Sequence, residues 1–175
     1  VVKILIVYAT TEGQTQIIAE RVAAQLRESG HKPELYDAAR RPGDLDIGVF
    51  DKIIVAGSVH QKQHQRSLEI FVLSNLAQLK AKPTLFLSVS LSAAFDDGKA
   101  DAQGYVDEFF AYTGWQASQA LLVAGALRYD EYDYFMEQIV EHVVLKGREV
   151  AGPKGDYEFT DWDGLSRSLE AFIRS

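Results

Sequence analysis

Residues 2–8 read Val-Lys-Ile-Leu-Ile-Val-Tyr, an almost unbroken apolar run rich in β-branched side chains. Such a run predicts a strand buried on both faces, as the central strands of parallel sheets are. The spacing then changes. From Gln14 to Glu28, Ile18, Val22 and Leu26 recur every four positions with Ala19 and Ala23 beside them, and Gly30 follows as a stop. This is the pattern of an amphipathic helix. Apolar runs at 33–38, 52–58, 84–90 and 119–125 predict four further strands. Between them, Leu68, Phe71, Val72, Leu76 and Leu79 mark one helix and Val106, Phe109 and Phe110 another, while Leu165, Leu169, Phe172 and Ile173 mark the last.

Strands alternating with helices imply right-handed crossovers and a doubly wound α/β domain with helices on both faces of a parallel sheet. Ligands of such sheets lie outside the carboxyl ends of the strands, where strand order reverses, so the loops after residues 8, 58 and 90 are expected to meet at one place. The 175 residues suit a single domain, 1–175, interrupted by an insert at about 126–161. Within the insert, Tyr132, Phe135, Met136, Ile139, Val140, Val143 and Val144 follow helical spacing, with Asp133, Glu137 and Glu141 opposite. An additional helix over 131–145 is expected.

Composition narrows the function. A formal charge of −7 and a pI near 5.1 disfavour a nucleic-acid binder, which needs a basic surface. The chain has no cysteine, which excludes disulfides, iron–sulfur clusters and thiol catalysis, so redox chemistry would require a bound cofactor. No apolar run reaches membrane-spanning length and no basic-then-apolar leader precedes the first strand, so a cytoplasmic protein is expected.

The first turn carries the chemistry. A buried strand that opens directly into a helix aims backbone N–H groups and the positive end of the helix dipole at one point. The stretch Thr10-Thr11-Glu12-Gly13-Gln14-Thr15 adds three hydroxyls and a glycine that permits close approach, which suits a phosphate monoester. The competing reading is that Thr and Gly merely cap the helix. Neither G-x-x-x-x-G-K-S/T nor G-x-G-x-x-G occurs, which disfavours nucleotide hydrolysis and standard dinucleotide binding.

This turn resembles the flavodoxin phosphate loop, T-x-T/S-G-x-T, with Glu12 in place of a hydroxyl; an acid facing a dianion is unfavourable, so Glu12 is expected to point outward. Together with SVSL (88–91), AGALRYDEY (124–132), YFMEQIV (134–140) and YEFTDW (157–162), it resembles the menaquinone-dependent protoporphyrinogen oxidase family over nearly the whole chain. The resemblance implies a flavodoxin-like five-stranded parallel sheet in the order 2-1-3-4-5, FMN as cofactor, protoporphyrinogen IX as substrate and a quinone as acceptor. It also implies that Thr10, Thr11, Glu12, Gly13, Gln14 and Thr15 bind the FMN phosphate, while Ser58, Val59, His60 and Gln61, then Ser90, Leu91 and Ser92, border the isoalloxazine. The flavin carries the hydride chemistry, so no side-chain nucleophile is required.

The loop 58–67 has no Trp, Tyr or Phe, which leaves a flavin face open for a planar substrate, although Phe95 is placed to fold over the ring. His60 and His64 lack a third ligand and are expected to be solvated loop histidines rather than a metal site, with His60 near enough to the flavin to tune it or relay a proton. Arg128 either pairs with a propionate or the flavin or forms a surface salt bridge with Asp130 or Glu131. Trp115 and Trp162 are expected to pack against the core. The inserted helix either covers the sheet or walls a lipophilic site; its acidic face limits any membrane contact to a peripheral one. Two alternatives stand beside the oxidase: an FMN electron carrier that meets a basic redox protein, and a quinone reductase with another substrate. A receiver domain is excluded, since Ala56-Gly57-Ser58 stands where its aspartate would.

Overall fold

The computed structural model describes residues 1–40, 45–127 and 157–175. In chain order these form β1 (Lys3–Ala9), α1 (Gln14–Glu28), β2 (Lys32–Asp37), β3 (Lys52–His60), β4 (Gln63–His64), α2 (Arg66–Ser74), α3 (Leu76–Lys80), β5 (Thr84–Ser90), α4 (Lys99–Thr113), β6 (Gln119–Ala124), β7 (Ala126–Leu127), β8 (Tyr157–Glu158) and α5 (Trp162–Arg174). The main sheet runs β2-β1-β3-β5-β6 with all four pairings parallel, and β4 hangs antiparallel on β3. Counting only the five long strands, this is the expected order.

The apolar run of β1 has a direct cause. Ile4 and Ile6 face a core with Ile18, Val22 and Leu26 of α1 and Leu165, Leu169 and Phe172 of α5. Leu5 and Val7 face a second core with Leu68 and Val72 of α2, Val106 of α4 and Trp115. Successive strand residues point to opposite faces, so a strand between two helical layers must be apolar at every position. Trp115 is 1 % exposed and sits edge-on to Phe86, a core residue as expected.

Two elements differ from the sequence reading. The single helix expected over 68–79 breaks at Asn75, whose side-chain amide donates to the Phe71 carbonyl at 2.8 Å and whose backbone leaves the helical region at φ −126°, ψ 21°. The polar stretch after residue 58 is a hairpin rather than a loop: β3 runs on to His60 and pairs back through His60↔Gln63 and Val59↔His64. Its two turn residues, Gln61 and Lys62, both have positive φ, 52° and 64°. A two-residue hairpin of type I′ requires that backbone, which Asn and Gly normally supply.

β7 and β8 pair antiparallel, Ala126↔Glu158 and Leu127↔Tyr157, and so bring the two ends of the insert together. The helix expected over 131–145, and Arg128 with it, lie outside the described residues. Among the described residues no helix is long and apolar enough to cross a membrane.

Candidate functional site

The carboxyl ends of β1, β3, β5 and β6 lead to one cleft, as the doubly wound topology demands. Glu12, Gln14 and Thr15 line it from the first turn, Ser58 and Val59 from β3, and Ser90 and Leu91 from β5 and its following loop. Gly125 and Ala126, which the sequence reading did not single out, complete it from the link after β6. Of the other expected residues, Thr10, Thr11, Gly13 and His60 stand in or beside the same two loops. Gln61 is exposed at the hairpin tip. Ser92 is buried in the loop after β5, where its carbonyl accepts the Phe95 amide at 3.3 Å.

The turn has the features that an anion site requires. Gly13 takes the left-handed backbone, φ 98°, and its N–H is satisfied by Thr10 Oγ1 at 2.8 Å. No side chain caps the start of α1, and its first turn carries no acidic residue, so the amides and dipole of this 15-residue helix face the cleft side uncompensated by a cap. Thr15 supplies a second, independent sign. The residue is 0 % exposed, and its Oγ1 has no hydrogen-bond partner among the described residues. A buried hydroxyl without a partner costs about 1–3 kcal/mol, so its retention at a cleft points to a ligand atom.

Glu12 departs from expectation. Its side chain is 15 % exposed and turns toward His60, with Oε1 3.1 Å from Nε2. Oε1 is nevertheless buried without an aligned hydrogen bond among the described residues, so the contact is a close approach rather than a directional bond. Burial pushes the Glu12 carboxyl above its ordinary range, and His60 opposes that rise. The acid of the first turn thus faces a side chain from β3.

His64 is not solvated. The hairpin register places it on the face opposite His60, where its Nε2 lies 2.9 Å from Ser88 Oγ. Phe86 and Phe109 stack on each other, and the His64 ring lies against both. His64 is 6 % exposed, and burial lowers its pKa to about 4. The two histidines therefore serve different neighbours.

Side-chain hydrogen bonds fix the cleft, and no spacing in the sequence announces their pairings. Gln65 accepts the Ser58 N–H at 3.1 Å, donates to the Ser58 hydroxyl, and donates to Thr11 Oγ1 at 3.1 Å, joining the loops after β1 and β3. Gln14 Nε2 donates to Thr160 Oγ1 at 3.1 Å and Glu158 Oε2 at 3.2 Å. Thr160 in turn donates to the Ala124 carbonyl at 2.7 Å, and Trp162 Nε1 donates to Glu158 Oε1 at 2.6 Å. The stretch 157–162 thus braces the first turn of α1. Phe95, expected near the flavin, is 8 % exposed and edge-on to Phe159.

The loop after β5 is closed by a close backbone approach. A Cβ on Gly98 would lie 2.3 Å from the Ser92 carbonyl oxygen and 3.0 Å from its carbon, atoms that cannot rotate away. Gly98→Ala is therefore expected to destabilise the protein by about 2 kcal/mol, measured by urea unfolding.

Residues 5–149 match the model of a family described as a flavodoxin domain. This chain belongs to the flavodoxin-domain family. Among flavodoxin-domain relatives, protoporphyrinogen IX dehydrogenase (quinone) of Escherichia coli strain K12 is 23% identical over 165 residues, 94% of this chain and 91% of that protein. The protein of the same name from Leishmania major is 25% identical over 173 residues, 97% of this chain and 74% of that protein. Among solved structures, Flavodoxin 2 of Bacillus cereus superposes with a TM-score of 0.56 at 17% identity, covering 98% of each chain. Flavodoxin 1 of Bacillus cereus gives 0.54 at 13% identity, over 98% of this chain and 97% of that one. These two likenesses show the doubly wound flavodoxin fold.

Proposed function

We propose that this flavodoxin-domain protein is an FMN-dependent oxidoreductase that oxidises protoporphyrinogen IX to protoporphyrin IX and delivers the electrons to a quinone. The observation that carries the reading is the uncapped first turn of α1 with the unpartnered Thr15 hydroxyl at the cleft. The relatives named above supply the substrate and acceptor.

The residues present fit a phosphate-bearing flavin. Thr10, Thr11, Glu12, Gly13, Gln14 and Thr15 would hold the phosphate through hydroxyls and backbone amides. Ser58, Val59, His60 and Gln61, with Ser90, Leu91 and Ser92, would border the ring system. FMN, when bound, supplies the hydride acceptor. The protein's own work is to bind and orient it: the helix dipole and Thr15 hold negative charge, and the braces from Gln65 and from Glu158 and Thr160 keep the two loops in register. The stretch 58–67 carries no Trp, Tyr or Phe, which leaves space for a planar substrate against the flavin.

The test is an anaerobic titration of the FMN-loaded protein. Protoporphyrinogen IX is expected to bleach the flavin and a menaquinone analogue to restore its colour. A flavin that stays oxidised under porphyrinogen rules out the oxidase. A stable one-electron state on partial chemical reduction would then favour an electron carrier.

A further inference from the structure

We propose that Glu12 and His60 form a proton-linked clasp across the anion site, so that binding a phosphate dianion there draws about one proton onto the pair. The inference rests on the FMN reading of the same cleft and adds a coupling to it.

The geometry sets two groups with opposite responses to an anion against each other. Glu12 comes from the turn after β1 and His60 from the end of β3, and their side chains meet at 3.1 Å. Glu12 lines the cleft together with Thr15, the residue whose buried hydroxyl lacks a partner. An ionised carboxylate fixed beside an arriving dianion is repelled by it, and the buried position of Glu12 Oε1 removes the water that would screen the repulsion. One proton bound by the pair resolves the conflict. The charge of the pair rises by one as the phosphate enters.

Nothing else among the described residues around the turn offers this response. The first turn of α1 carries no acidic side chain. Ser58 and Val59 of β3, Ser90 and Leu91 after β5, and Gly125 and Ala126 after β6 are uncharged. Glu158 of β8 is engaged by Gln14 and Trp162. Lys62 sits at the exposed tip of the hairpin beyond His60, and His64 points to the opposite face, onto Ser88.

The sign follows from linkage. A complex that takes up a proton is favoured at low pH, so the apparent Kd for FMN rises with pH, by up to about tenfold per unit where uptake is complete. The measurement is calorimetry of FMN binding at pH 8 in two phosphate-free buffers of different ionisation enthalpy. At this pH the FMN phosphate is already a dianion, since its second pKa is about 6. The wild type is expected to take up about 0.5–1 proton per FMN. Uptake should fall in Glu12→Gln and in His60→Gln and approach zero in the double variant. Glu12→Gln should also bind FMN more tightly than wild type at pH 9. A purely structural contact would lower affinity in the variants without changing the proton count. FMN binding with no uptake, or with uptake equal in wild type and double variant, overturns the clasp alone. Failure of FMN to bind the wild type overturns the cofactor reading and the clasp with it.

Discussion

Replacing Thr15 with valine is expected to move stability and binding in opposite directions. The substitution keeps the shape of a residue that is 0 % exposed and removes a hydroxyl that has no partner among the described residues. Deleting an unsatisfied buried hydroxyl relieves desolvation, so the FMN-free protein should be unchanged or more stable by about 1 kcal/mol. If the same hydroxyl donates to an FMN phosphate oxygen, its loss removes a hydrogen bond to a charged group, worth about 1.5–3 kcal/mol. FMN affinity should then fall roughly 10- to 100-fold. Urea unfolding without FMN and a fluorescence titration with FMN measure the two halves. A helix residue with no ligand role would leave the titration unchanged, and a packing role would lower stability.

The second large effect is acid sensitivity from His64. Its folded pKa of about 4 lies below the ordinary value of 6.5 because the ring is buried among Phe86, Phe109 and Ser88. As pH falls below about 6.5 the unfolded chain takes the proton and the folded protein does not, so stability declines until the folded group titrates near pH 4. The loss amounts to about 2 kcal/mol between pH 7.5 and pH 5, and about 3 kcal/mol by pH 4. Carboxylates add their own pH dependence, so the informative quantity is the difference from His64→Gln, which keeps a hydrogen-bonding group for Ser88 and does not titrate. Wild type should lose more stability than the variant between pH 7.5 and pH 5. Equal losses would mean that His64 is hydrated in solution.

The two-faced burial of β1 was legible because one physical rule, side chains alternating between two helical layers, turns directly into an unbroken apolar run. The first turn was legible as a turn for a similar reason: an apolar run that ends in hydroxyls and one glycine before helical spacing marks a strand opening into a helix. The hairpin after Ser58 was not, because Gln61 and Lys62 hold a positive-φ turn that sequence normally announces with Asn or Gly. The polar neighbours of His64 read as a solvated loop, and its burial comes from Phe86 and Phe109 on distant elements. Glu12 was expected to turn outward on charge repulsion alone. The structure supplies His60, a partner that lies far along the chain and meets Glu12 only once β1 and β3 pair. Likewise, 157–162 carried part of the family resemblance, but its bracing of Gln14 appears only in the folded chain.

The central claim is that the start of α1 holds the phosphate of FMN, and comparison of FMN with riboflavin, which lacks that phosphate, tests it most directly. In parallel fluorescence titrations at pH 7.5, FMN should bind at least about 100-fold more tightly, the worth of two or so charge-assisted hydrogen bonds at the turn. Equal affinity for the two flavins, or no binding of either, would contradict the claim.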